Sequence, residues 1–90
     1  LYGVLIAPHS GGSPVVFLAN VHAAAAMPRN YIAFEFHQAD DPEWENLVQG
    51  IEKPLIKDGC GTPPKAPGLG FELNEDHVRK RLAEGETYFE

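Results

Sequence analysis

Positive charge, cysteine and long apolar runs are all scarce in this chain. Seven Lys and Arg against 13 Asp and Glu leave a formal net charge of −6. There is thus no basic patch of the kind that nucleic acid or an anionic membrane surface requires. A single cysteine, Cys60, excludes an internal disulfide, and such usage is that of a reducing, cytoplasmic compartment. The longest apolar stretch, residues 14–27, is too short for a bilayer and carries Asn20 and His22. A charged leader and a starting methionine are missing too, so no signal peptide is expected. Several chemical signatures are likewise absent. His9, His22, His37 and His77 lack zinc-ligand spacing. No phosphate-loop lysine follows a glycine turn, and the Pro-Gly-Leu-Gly at 67–70 lacks the strand and helix of a dinucleotide site. Ser10 is not in a G-x-S-x-G elbow, which argues against a serine hydrolase.

What is present is a strand–loop–helix–strand unit in a chain of 90 residues that is 43% apolar, enough for one small core. Residues 4–7 form a continuous apolar run, as in a strand covered on both faces. Pro8 removes a ladder donor, so pairing is expected to end there. His9 then stands at the carboxyl end of a strand, where α/β folds place their chemistry. After the loop at 10–13, Ser13 caps and Pro14 opens a helix predicted to run to about Met27. This helix is apolar nearly all round, so it calls for burial on most sides. In the second strand, residues 31–36, Ile32, Phe34 and Phe36 share one face; Tyr31, Ala33 and Glu35 share the other. The large residues would meet helices, and Glu35 would look the opposite way from the carboxyl end. The chain opens abruptly on Leu1-Tyr2-Gly3 and has little with which to cover its helix. Both features point to the last piece of a barrel enzyme.

Further on, Asp41 is placed to cap a short helix with Pro42 at its first position, and Trp44, Leu47, Val48 and Ile51 fall on one stripe that Gly50 ends. Pro54-Leu55-Ile56, an Asp58-Gly59 turn and a poorly strand-like segment at 60–64 make a weak hairpin signal. Phe71-Glu72-Leu73 reads as extended. Asn74 caps a final helix running to about Ala83, with Leu73 and Val78 at the staple positions. The basic cluster Arg79-Lys80-Arg81 reads as a solvated helix face.

Two residues carry the chemical interest. His9 is either a general acid or base, since histidine titrates near neutrality, or a loop histidine bonded to backbone. Glu35, between two phenylalanines, is either a carboxyl held in a site and hydrogen-bonding a ligand, or a strand-end group in water or an ion pair. Ser10 and Gly11, in a loop backed by a helix N-terminus, either present N–H groups to an anion or merely connect strand to helix. His37 directly follows the second strand and either lines the same mouth as Glu35 or is a surface residue. His22, inside the apolar helix, reads as a core histidine with its hydrogen bond satisfied.

The order Ala7-Pro8-His9-Ser10-Gly11-Gly12-Ser13-Pro14, an alanine-rich helix, the Glu35 strand, and then Pro54-Leu55, Asp58-Gly59 and Pro67-Gly68-Leu69-Gly70 before Phe71-Glu72-Leu73 resembles the C-terminal part of the mandelate racemase/muconate lactonizing enzyme family. The resemblance covers nearly the whole chain but only the end of a family member. It implies an α/β fold: the last two strands and intervening helix of an enolase-type (β/α)7β barrel at 1–50, with a tail at 51–90 returning to the capping domain. It implies proton abstraction α to a carboxylate, with His9 as general acid/base and Glu35 hydrogen-bonding the substrate carboxylate. Ser10, Gly11 and His37 are the candidate substrate-binding residues. It further implies Mg²⁺ for the full-length enzyme, with no ligand in this chain. A small carboxylate substrate, the rest of the same barrel and capping domain, and a homo-oligomer are the implied partners. A hydroxy-acid dehydratase is the expected activity, a racemase or epimerase the alternative, and the 90 residues alone are expected to be inactive. The competing reading, of another class, is a small non-enzymatic module binding an anion or a protein through the 10–13 loop.

Overall fold

A computed structural model describes residues 2–37 and 40–88. Strand β1 (His9–Ser10) leads through the glycine loop into helix α1 (Pro14–Ala25), which returns the chain to strand β2 (Glu35–Phe36). The two strands pair in parallel, His9 against Glu35 and Ser10 against Phe36. A parallel bridge between Ile6 and Tyr31 extends the pairing backward. The pairing runs past Pro8 rather than ending at it. Proline lacks only the donor; its carbonyl still accepts from the Glu35 N–H at 2.8 Å. The residues before it are not covered as expected: Val4 and Leu5 are 64% and 62% exposed.

Helix α1 starts as the sequence predicts. Ser13 Oγ accepts from the Val16 N–H, and Pro14 occupies the first turn. It ends two residues early, because the Ala26 and Met27 N–H groups turn back to the Ala23 and Ala24 carbonyls ahead of Pro28. Only one side is buried, by Pro14, Phe17, Leu18 and Val21. Phe17 organises that side. It meets Phe34, Phe36 and Trp44 edge-on with ring centroids 5.5, 5.3 and 5.8 Å away. Phe34 and Phe36 therefore face the helix, as their alternation requires. Val48 and Leu55 complete the core.

The segment after residue 40 departs most from the sequence reading. The predicted α-helix is a single 3₁₀ turn, Trp44–Leu47, and Val48 has left it for strand β3 (Val48–Gln49). Antiparallel pairing with strand β6 (Glu72–Leu73) and complete burial of Val48 override the helical stripe; a β-branched residue suits that place. The weak hairpin forms as strands β4 (Ile56–Lys57) and β5 (Cys60–Gly61). Asp58 and Gly59 both take positive φ, 51° and 74°, the pattern of a tight two-residue hairpin turn. Helix α2 (Glu75–Lys80) is capped by Asn74 Oδ1, which accepts from the His77 N–H at 3.3 Å. It stops three residues short of Ala83, so Arg81 is not on a solvated helix face. Arg81 instead reaches across to Asp41 with both guanidinium nitrogens and to Glu43 Oε2 at 3.3 Å. Among the described residues no helix is long and apolar enough to cross a membrane.

Candidate functional site

His9 and Glu35 face one another across a single register of the parallel pair. Register partners in parallel strands project to the same side of the sheet, about 4.8 Å apart along the hydrogen-bonding direction. Both are exposed, on the side opposite α1. His37 follows two residues after Glu35 and shares its side. Gly11 lies between the histidines: a Cβ built there would stand 3.6 Å from His9 Nε2 and 3.7 Å from His37 Cβ. The fold thus brings His9, Gly11, Glu35 and His37 together on one open face.

Ser10 is placed differently. It alternates with His9, is only 1% exposed, and pairs with Phe36, whose ring packs on Phe17. Its Oγ has no partner, and its side chain is turned to the helix side, away from His9. The Ser10 backbone carbonyl does serve the site, by accepting from the His37 N–H at 2.9 Å.

The glycine loop is tied down on several elements. The His9 carbonyl accepts from Asn20 Nδ2 of α1 at 3.1 Å. The Gly12 carbonyl accepts from the Trp44 indole N–H at 2.9 Å. Neither contact was foreseen from the sequence. The one available signal for Asn20 is a polar residue within an apolar helix. His22 makes the expected hydrogen bond, with Nε2 3.0 Å from the Leu69 carbonyl oxygen, but it is half-buried and outside the core, because only one side of α1 is covered.

Two depressions among the described residues lie elsewhere. One of about 710 Å³ is lined by Ile51, Pro54 and Thr62 among others, and one of about 660 Å³ by Phe34, Phe36 and Tyr31. His9 and Glu35 line neither, and their face is open. Among the described residues no group of three or more His, Cys, Asp or Glu is arranged to hold a metal ion. The described residues therefore do not fit Mg²⁺ by themselves.

Comparisons with known proteins agree with one another. Residues 1–77 match the family described as "Enolase C-terminal domain-like". A D-xylonate dehydratase from Haloferax volcanii is 39% identical over 90 residues, which is all of this chain and 21% of that protein. The crystal structure of a mandelate racemase/muconate lactonizing enzyme-like protein from Rubrobacter xylanophilus superimposes with a TM-score of 0.79 at 36% identity. The match covers 89% of this chain and 20% of that one. The chain spans about a fifth of the length of the curated relative it matches.

Proposed function

Because the chain belongs to the enolase C-terminal domain-like family, we propose that it forms the closing part of an acid-sugar dehydratase barrel. In this reading β1 and β2 are the last two barrel strands, and His9 and Glu35 stand at their shared mouth. The observation that carries the reading is the in-register pairing of His9 with Glu35 on the open face, together with the D-xylonate dehydratase likeness along the whole chain.

The chemistry divides between the two groups. Dehydration of a hydroxy acid breaks the C–H bond α to the carboxylate and the C–O bond at the β carbon, forms a double bond between those two carbons, and releases water. His9 removes the α-proton, or returns a proton to the departing hydroxyl; an imidazole ring nitrogen can accept or donate a proton in either role. Glu35 hydrogen-bonds the substrate carboxylate, fixing which carbon meets His9. Gly11 leaves the space between the histidines open, and His37, on the same face, is a substrate-binding residue in this reading. Mg²⁺ is proposed for the full-length enzyme, held by residues outside this chain, and no step here is assigned to it.

The test is turnover of an aldonate panel that includes D-xylonate by the full-length protein. His9→Asn is expected to lower kcat by about 10³-fold or more while the thermal midpoint stays near that of the wild type. Wild-type rates in that variant would overturn the reading.

A further inference from the structure

Resting on the assignment of His9 as acid/base, we propose that Asn20 and Trp44 are positioning residues that hold the 9–12 loop in register with Glu35. The need for them arises in the loop itself. Gly11 and Gly12 stand in succession behind His9, and glycine leaves a backbone freer than any other residue does. Proton transfer tolerates little of that freedom: a misplacement of about 1 Å costs on the order of 10² in rate.

The loop's carbonyls are caught by donors from three different elements. Asn20 on α1 takes His9 O at 3.1 Å, the His37 N–H after β2 takes Ser10 O at 2.9 Å, and the Trp44 indole takes Gly12 O at 2.9 Å. Trp44 is itself fixed. Its ring lies edge-on against Phe17 and Phe36, and its backbone N–H bonds Asp41 O at 3.1 Å. An indole N–H is only a donor, so the ring that packs into the aromatic cluster aims one hydrogen bond at the loop. Trp44 belongs to the segment that follows Glu35, and its bond ends on the segment that follows His9. It therefore ties together the loops of both site residues. Asn20 acts from α1 itself and Trp44 from the aromatic cluster around Phe17.

The experiment uses the full-length protein with Trp44→Phe, which keeps a ring in the aromatic cluster and removes the donor. Asn20→Leu is the second variant and decides the matter if Trp44→Phe fails to fold. Hydrogen exchange across residues 9–12 and steady-state kinetics are measured on each. The expected result is exchange about tenfold faster with kcat lowered roughly tenfold or more, and KM within about twofold of wild type. Unchanged exchange overturns the proposal, and so does faster exchange with unchanged kcat. A fall in activity that merely follows the unfolded fraction also overturns it. His9→Asn is run alongside. Full activity there would sink the acid/base assignment, whereas an inactive His9→Asn beside a fully active Trp44→Phe would sink only the positioning role.

Discussion

At Gly61 a methyl group would stand 2.8 Å from Phe17 Cζ and 3.2 Å from Val21 Cγ2. Phe17 cannot swing aside, since three aromatic rings enclose it and it is 3% exposed. Gly61→Ala is therefore expected to destabilise the protein by about 1–3 kcal/mol through overpacking. Gly59, two residues earlier in the hairpin turn, with φ of 74° and open space around it, isolates the backbone component; Gly59→Ala should cost about 1 kcal/mol. Urea midpoints of the two variants check the ordering. Ser10 gives the opposite expectation. Its buried hydroxyl lacks a partner, so Ser10→Ala should leave stability within about 1 kcal/mol of wild type and KM unchanged; a raised KM would return the side chain to the binding face. The places of His9 and Glu35 on neighbouring strands were legible in the sequence because strand ends show in local hydrophobic pattern. The Gly61 constraint and the Trp44 bond were not, because each depends on a partner more than 30 residues away in the chain.

Helices and strands divide along the same line. The cap of α1 rests on Ser13 and Pro14, adjacent residues whose local chemistry is visible in any context. The 3₁₀ turn misled the helical reading because the stripe of Trp44, Leu47 and Val48 suits either a helix or a chain that leaves it for a sheet. Leu73, 25 residues on, decides between them by pairing with Val48. The link between this turn and α2 makes a prediction about acid. The Arg81 guanidinium beside Asp41 holds its carboxyl below the ordinary carboxylate value, and the bond from the Glu43 N–H adds to that. The pair's contribution is then fully present above the unfolded carboxylate value of about 3.9 and is lost as pH falls through the lower folded value. Arg81 is raised by the same contact, which keeps it charged throughout the acid range. Protection of the α2 amides, corrected for the intrinsic pH dependence of exchange, should fall below about pH 4 in the wild type, whereas in Arg81→Gln it should already be modestly lower at neutral pH and show no such step. A wild-type acid step preserved in Arg81→Gln would contradict this.

The whole chain exposes 6831 Å², against roughly 5200 Å² for an ordinary folded monomer of its mass. Its radius of gyration is 14.8 Å, where a compact chain of this length has about 12 Å. Apolar residues contribute to that surface: Val4, Leu5 and Ile32 are 64%, 62% and 59% exposed, and all three lie beside the paired segments. The buried apolar core comprises Phe17, Leu18, Val21, Val48 and Leu55. So small a core offsets little of the ordering entropy of 90 residues. Strands of this apolar content belong where both faces are covered, and in the proposed function the remaining barrel covers them. Expressed alone, the 90-residue chain is expected to bind a hydrophobic dye, to self-associate, and to melt without a cooperative transition. Calorimetry, dye fluorescence and sedimentation test this together. A sharp melt from a dye-silent monomer would mean that these elements cover themselves in solution. The non-enzymatic module binding through the 10–13 loop would then become the stronger reading of the His9 face.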